Sequence, residues 1–231
     1  MAEGDTITIR FGDQRQGSRG VRVQTYCEAK YEFKVFVDAI ATYDYVTLPE
    51  SPSINIVPGP PRTWRATLPT LVRTGDPFRL SIKADDKWGN PSDQVDQMLF
   101  LEAEGPIEGL PENIEFRSGA FSTGLDGLKL TKDAEATIIV RDQSGNELCR
   151  TNPLRARSIS TKDPVHFWGD LHGQSNETLG TNDARAYFEF ARDRAFVDVC
   201  AHQGNDFQMT QEFWKDLNNL TAELNLSLIH I

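Results

Sequence analysis

The sequence predicts a mixed fold, in which an N-terminal all-β region precedes two strand–helix units. Two observations lead to this expectation. Up to about residue 160, short stretches of alternating apolar and polar residues are separated by Gly, Pro, Asn and Asp, which is typical of antiparallel strands joined by turns. Beyond residue 160, short apolar stretches alternate with segments of helical periodicity, which indicates parallel strands connected by helices.

Composition and charge are those of an ordinary globular protein and exclude several classes of partner. Of the 231 residues, 39% are hydrophobic and 25% are charged. The net charge of −10 argues against a nucleic-acid or anionic-membrane partner, since both require clustered Lys and Arg. No apolar run reaches the roughly 18 residues of a transmembrane helix, so no membrane span is expected.

Cysteine usage and the N-terminal sequence leave the compartment open between cytoplasm and periplasm. The three cysteines, Cys27, Cys149 and Cys200, are far apart and form no Cys-x-x-Cys pair, so neither a disulfide framework nor a zinc–thiolate site is expected. The N-terminus has no basic segment followed by an apolar one, as a secretory signal would have, and the chain looks cut at both ends. The sequence does not predict an oligomeric state.

Residues 1–60 are expected to be a β-rich segment that is incomplete. Stretches 6–11, 21–26 and 31–37 alternate with a period of two, which predicts three half-buried strands. Residues 57–61 contain three prolines and predict a linker, because consecutive prolines cannot continue a β-ladder.

Residues 61–160 are expected to form a β-sandwich. Stretch 78–84 alternates strictly, stretch 137–142 is predicted to be a strand, and each leads toward a turn of the form Asp-x-x-Gly-Asn. This repeated pattern resembles bacterial immunoglobulin-like repeats, which implies an immunoglobulin-like sandwich. Trp64 and Trp88 are expected to pack in the core or in a turn, with carbohydrate binding as the alternative.

Residues 161–231 predict two βα units. A short apolar strand at 165–168 is followed by a helix at 183–194, and a second strand at 196–201 is followed by a helix that Thr210 caps. Parallel strands bring their carboxyl ends to one edge, so we expect the polar clusters 170–177 and 202–206 to converge.

The first of these clusters contains the residue types that bind divalent metals and move protons. Asp170, His172 and Gln174 lie at i, i+2 and i+4, which places them on one face of an extended backbone, and Glu177 follows closely. The residues alone indicate a metal or hydrolytic site of unspecified chemistry. The alternative is that Asp170 and His172 only cap and fix a strand-to-helix loop.

The segment Trp168-Gly169-Asp170-Leu171-His172-Gly173-Gln174-Ser175 resembles the opening motif of the PHP (polymerase and histidinol phosphatase) superfamily, whose usual form is Gly-Asp-Leu-His-x-His-Thr or Ser. The layout is similar to that of an uncharacterised bacterial PHP-like family with a β-rich N-terminal region. The resemblance implies a distorted (β/α)7 barrel, of which the chain carries the first two βα units. It also implies a metal-dependent phosphoesterase that uses Zn, Mn or Fe on a small-molecule substrate.

The resemblance implies a set of metal ligands in the first motif. Asp170 and His172 match ligand positions, whereas Gln174 stands where the family has its second His, and a neutral amide oxygen is a weaker ligand than imidazole. Glu177 is expected to supply a negative ligand or to act in catalysis.

The second family motif is usually Thr-Asp-His after a strand, and this chain offers two alignments to it. Either His202 or Asn205 takes the ligand position, and His202 is favoured. Asp206 is expected to be a further ligand or the general base. A degenerate, non-catalytic barrel is the alternative.

The end of the chain and the β-rich region suggest two further expectations. Later ligands of such a site would lie beyond residue 231, so the chain is expected to be an inactive fragment, and residues 226–231 look like translated sequencing adapter. The competing hypothesis is a non-catalytic binding or surface protein whose β-sandwich holds the ligand. A third is that the β units only orient the barrel.

Overall fold

The computed structural model describes residues 6–38 and 40–226, so the adapter-like residues 227–231 lie outside the described part. The chain divides into two compact units, Met1–Ile56 and Val57–Ile231. The molecule is mostly β-strands with few helices, as the sequence predicts at that level.

The first unit contains four short strands in two pairs. Its strands are β1 (Glu28–Glu32), β2 (Phe36–Val37), β3 (Val46–Thr47) and β4 (Ser53–Ile56). Strand β1 pairs antiparallel with β4, and β2 pairs antiparallel with β3. No residue of 6–38 or 40–56 is buried, so the described part of this unit has no packed core of its own.

The strands predicted at 6–11 and 21–26 are wrong. Residues 6–27 form no strand, and the side chains of Ile7, Ile9 and Phe11 are 57–70% exposed. Alternation describes one face of a strand, but a strand also needs a neighbouring strand to complete its hydrogen bonds, and the described residues supply none here. The predicted strand at 31–37 is interrupted at 33–35 between β1 and β2.

Two sheets of the second unit form a β-sandwich. Its strands are β5 (Thr63–Thr67), β6 (Leu71–Arg73), β7 (Phe78–Asp85), β8 (Gln97–Glu104), β9 (Asn113–Phe116), β10 (Thr123–Leu128), β11 (Ala134–Arg141), β12 (Glu147–Arg150) and β13 (Leu154–Arg157). One sheet has the order β10-β7-β5, and the other has the order β6-β13-β11-β8-β9 with β12 also paired to β11. All pairs are antiparallel except β6 with β13.

The sandwich core is built by the alternation that the sequence shows. Both sheets contribute side chains to one buried cluster. Its completely buried members include Leu80 and Ile82 of β7 and Ile138 and Val140 of β11. Each such side chain stabilises the fold by about 1.5–3 kcal/mol relative to an exposed position. Trp64 contributes at the margin of this core, where it packs edge-on against Phe116.

The remainder of the second unit has the predicted strand–helix–strand–helix order. Its elements are β14 (Gly169–Gly173), α1 (Ala184–Phe190), a π-helical turn (Ala191–Ala195), β15 (Val199–His202), a short 3-10 turn (Asp206–Gln208) and α2 (Gln211–Leu226). Strand β14 lies on the motif itself rather than on 165–168. Among the described residues, no helix is long and apolar enough to cross a membrane.

Both helices begin at the side chains that the sequence indicates. The Asp183 carboxylate accepts a hydrogen bond from Ala186 N at 2.7 Å, and Thr210 Oγ1 accepts one from Phe213 N at 3.1 Å. Such N-caps satisfy backbone donors that a helix leaves unpaired. The apolar face of α2 then packs on α1 through a small core of its own, made by Ala184, Phe188, Leu217 and their neighbours.

The π-helical turn attaches this βα part to the sandwich. The Arg194 guanidinium lies 3.5 Å from the centroid of the Phe121 ring, and Ser122 Oγ donates a hydrogen bond to the Asp193 carbonyl at 2.6 Å. A guanidinium over an aromatic face is an attractive cation–π contact. The turn ends at Phe196, whose φ of 60° is left-handed.

A second attachment lies at the start of β14. Trp168 Nε1 donates a hydrogen bond to Thr70 Oγ1 at 2.8 Å, and Trp168 N donates to the Asp198 carboxylate at 2.8 Å. The indole therefore joins the sandwich to the strand that carries the motif.

Replacing Arg194 should loosen the βα part without affecting the sandwich. Arg194→Ala removes the contact with Phe121, which is worth about 0.5–2 kcal/mol. We expect faster amide hydrogen exchange in β15 and α1 and unchanged protection in β7 and β11. The matched control is Arg192→Ala in the same turn, because Arg192 pairs with its neighbour Asp193. Equal effects of the two substitutions would contradict a specific role for Arg194.

Candidate functional site

The two polar clusters lie at the same edge of a parallel strand pair. In β14 and β15, Asp170 is opposite Cys200 and Gly173 is opposite His202, with an irregular register between these pairs. The cluster 170–177 begins within β14 and continues past its end at Gly173, and the cluster 202–206 begins at His202, the last residue of β15. We call these two clusters the rim.

The strand residues of the first motif are open to solvent. Asp170 and His172 are both exposed, and the Asp170 carboxylate accepts a hydrogen bond from His172 N at 3.0 Å. The imidazole of His172 has no hydrogen-bond partner among the described residues. Both side chains are therefore available to a ligand at the rim.

His202 is the best enclosed of the candidate ligands. Its Nε2 lies 2.8 Å from Ser175 Oγ, and its ring is contacted edge-on by Tyr187 and by Phe213, at centroid distances of 6.4 and 5.6 Å. Burial lowers the pKa of His202, while the nearby Glu177 carboxylate acts in the opposite direction. The imidazole is therefore neutral at neutral pH, which is the form that binds metals.

Gln174 follows β14 and bridges the two clusters. Its amide nitrogen donates to the carbonyl of Gln203, and its amide oxygen accepts a hydrogen bond from Thr178 Oγ1 at 2.6 Å. The Asn205 amide nitrogen donates a hydrogen bond to the Gln208 amide oxygen at 2.9 Å. Of the two residues that align with the second motif, His202 ends the strand opposite Gly173, whereas Asn205 lies in the loop beyond it.

Glu177 and Asp206 occupy the outer part of the rim. Glu177 lines an open groove of about 330 Å³ between α1 and α2, whose other acidic residues include Asp183 and Asp216. Asp206 is exposed at the start of the 3-10 turn. Neither carboxylate forms a hydrogen bond or ion pair with another described side chain, so both are available for proton transfer or for a cation.

The residues of the rim fit a divalent metal in chemistry, but they supply only part of a site. Carboxylate, imidazole and amide oxygen donors are present, and the buried Nδ1 of His202 has no partner among the described residues. No group of three His, Cys, Asp or Glu side chains converges within 6–38 and 40–226 in a way that would hold an ion.

Gly173 and Tyr187, which the sequence analysis did not single out, build the rim. A β-carbon at Gly173 would overlap the Tyr187 ring, so the ring packs directly on the backbone of β14. The Tyr187 hydroxyl donates to the carbonyl of Ala201 in β15 at 3.2 Å. Burial raises the pKa of Tyr187 to about 12, so this donor keeps its proton. A glycine within a strand pattern is the signal that predicts such a close approach.

Comparisons with known proteins do not identify a family. No family model matches the chain, and no curated protein matches it. Among solved structures, a β-glycosidase from Bacteroides vulgatus is 14% identical with a TM-score of 0.36, covering 46% of this chain and 15% of its own. The D00-D0 domain of intimin is 11% identical with a TM-score of 0.33, covering 49% of this chain and 56% of its own. The PKD domain of an M14-like peptidase from a Thermoplasmatales archaeon is 15% identical with a TM-score of 0.28.

These likenesses are too weak to indicate function. At such TM-scores neither a fold family nor an activity follows for this chain. The chain spans only a small part of the glycosidase and about half of the intimin segment.

The contact between Gly173 and Tyr187 predicts that even a methyl group is not tolerated. Gly173→Ala should lower the free energy of unfolding by about 3 kcal/mol, the upper end for over-packing, because the Tyr187 ring also contacts Phe188 and His202 and its hydroxyl is hydrogen-bonded to Ala201, so it cannot move freely. Leu171→Ala is the control on the same strand, since Leu171 is 66% exposed and its loss should cost within about 0.5 kcal/mol. Denaturant unfolding measures the free energy of unfolding of both variants. A Gly173→Ala protein as stable as the unsubstituted chain would contradict the close contact between Gly173 and Tyr187.

Proposed function

We propose that the rim is part of the site of a metal-dependent hydrolase resembling the PHP phosphoesterases, and that β14 and β15 begin a barrel of that type. The observation that carries the proposal is the parallel pairing of Gly173 with His202. It places His172 and His202 on neighbouring strands at one edge, beside the exposed Asp170 carboxylate.

The residues that would hold the metal are Asp170, His172, His202, the amide oxygen of Gln174, and Glu177. A divalent Zn, Mn or Fe ion would supply Lewis acidity and a lowered pKa of water. Burial lowers the pKa of His202, which favours the neutral imidazole that accepts a metal, and the exposed His172 side chain is open to a ligand.

The other rim residues orient these donors and handle protons. Both the nitrogen and the oxygen of the Gln174 amide are hydrogen-bonded, so the direction of the oxygen is fixed. An amide oxygen is nevertheless a weaker metal ligand than imidazole. Asp206 and Glu177 are the free carboxylates, and we assign them the role of general base. The substrate class is a small-molecule phosphoester, and we expect the chain by itself to be inactive because the described residues do not bring three His, Cys, Asp or Glu ligands together.

A non-catalytic binding protein is the second candidate, and one observation favours it. The sandwich has a complete core, whereas the rim does not bring three ligands together. In this alternative an immunoglobulin-like sandwich holds the ligand, and the βα part is a degenerate scaffold. Trp88, half exposed beside Lys87, is the aromatic surface that a carbohydrate would use.

Metal titration separates the two candidates. Calorimetric titration of the chelator-treated chain with Mn²⁺ should show binding that His172→Ala weakens by at least about 10-fold, since even outer-shell changes cost that much. His166→Ala is the matched control, because His166 is exposed and lies outside the rim. Equal affinity of the two variants for Mn²⁺ would contradict the proposed hydrolase site.

Turnover by the chain alone gives an independent check. With Mn²⁺ or Zn²⁺ present, the 231-residue chain should hydrolyse p-nitrophenyl phosphate no faster than buffer, since residues 6–38 and 40–226 bring no three His, Cys, Asp or Glu side chains together around an ion. Release of p-nitrophenol is measured by absorbance. Substantial metal-dependent turnover that His172→Ala abolishes would show that the chain is complete for catalysis and that its description as an inactive fragment is wrong.

A further inference from the structure

One nitrogen at the rim has no role in the hydrogen-bond network. Nδ1 of His202 is buried and has no hydrogen-bond partner among the described residues, whereas Nε2 of the same ring is bonded to Ser175 Oγ. Buried polar atoms are almost always paired, and an exception calls for a bound ion, a water or a catalytic use.

We propose that Ser175 is a positioning residue that makes Nδ1, and not Nε2, the ligating atom of His202. This inference rests on the proposed function, and it concerns which atom of the imidazole receives the metal. Ser175 acts through His202 and does not touch the substrate, because its side chain is completely buried.

The backbone around Ser175 fixes its hydroxyl. The Ser175 carbonyl accepts hydrogen bonds from Thr178 N at 2.9 Å and from Gly180 N at 2.7 Å, which closes a tight turn. Gly180 is packed so closely on this turn that a β-carbon there would lie 2.8 Å from the backbone of Ser175. The turn therefore fixes the backbone position from which the Ser175 hydroxyl reaches Nε2.

The orientation of the imidazole ring is fixed as well. Tyr187 contacts it from α1 and Phe213 contacts it from α2, both edge-on. Rotation of the ring about Cβ–Cγ would exchange Nδ1 with Cδ2 and Nε2 with Cε1, and it would break the hydrogen bond to Ser175. Since Nε2 is occupied by a buried partner, Nδ1 is the nitrogen left for a ligand.

Metal binding at Nδ1 also settles the position of the proton. A ligand on the Nδ1 lone pair requires the neutral imidazole to carry its proton on Nε2, and Ser175 Oγ then accepts the hydrogen bond from Nε2–H. A histidine ligand that donates its other N–H to a fixed acceptor is the usual way in which proteins orient a metal ligand. Ser175 supplies that acceptor here.

The loop after β15 lies close to the imidazole of His202. Position 204 is a glycine, and a β-carbon there would lie 3.4 Å from Cε1 of His202 and would overlap the Met209 methyl group. Gly204 therefore lies close to both the Cε1 edge of the imidazole and the Met209 methyl group, and an unbranched methionine side chain adapts easily.

Nitrogen NMR of the histidine rings tests the proposal directly. The whole chain, labelled with ¹⁵N-histidine, is titrated with Zn²⁺, and the ring signals are assigned with single His→Gln variants. We expect Zn²⁺ to shift the Nδ1 resonance of His202 while Nε2 keeps its proton. A zinc-induced shift of Nε2 instead, or a response of His172 with none at His202, would overturn the assignment of Nδ1 and leave the proposed hydrolase standing. No response of either histidine would overturn both.

A pair of serine variants tests the role of Ser175. Ser175→Ala should weaken Zn²⁺ binding by about 10- to 100-fold and remove the preference for the Nε2–H form of His202. Ser92→Ala is the matched control, because Ser92 is equally buried and its hydroxyl donates to the Gly59 carbonyl in the sandwich. Unchanged affinity and tautomer in Ser175→Ala would show that Ser175 does not position His202.

Discussion

The packing of Tyr187 on Gly173 is the contact on which the rim depends. The ring lies against the backbone of β14, and its hydroxyl reaches the Ala201 carbonyl of β15. A pair of parallel strands has little stability alone, because its hydrogen bonds are few and one face must be covered. Tyr187 covers that face and ties both strands to α1. The relative position of the two polar clusters follows from this side chain more than from the strands themselves.

The sandwich supports the rim indirectly, through contacts at the π-helical turn and just before β14 rather than through the rim residues. Arg194 lies over Phe121 at the π-helical turn, and Trp168 is bonded to Thr70 just before β14. Extra residues in a helix turn change the direction of the chain, and such turns are frequent near functional sites. Here the turn aims Arg194 at the sandwich and returns the chain to β15. These contacts attach the βα part to the sandwich just before β14 and again just before β15.

The sequence predicts those features that depend on neighbours along the chain. The alternation at 78–84 and the caps at Asp183 and Thr210 are visible as local patterns, and the structure has them. The strands expected at 6–11 failed because pairing is a long-range property that alternation does not report. The contacts of Ser175 with His202 and of Gly173 with Tyr187 join residues far apart in the sequence. No spacing rule predicts them, although the glycine itself was a signal.

Gln174 has a structural role at a position where the motif that the segment resembles has a histidine. An imidazole at this position would be a stronger ligand, but the amide of Gln174 donates to the Gln203 carbonyl and accepts from Thr178. The bond to Gln203 joins the loops that follow β14 and β15, and the bond from Thr178 lies within the first of these loops. The same loops hold Ser175 against His202, so the amide helps to fix the ring whose pKa burial has lowered. Compared with a histidine, Gln174 would be a weaker metal ligand, but its hydrogen bonds make the surroundings of His202 rigid. In the proposed metal site, Gln174 would therefore be a weak ligand whose orientation its neighbours fix.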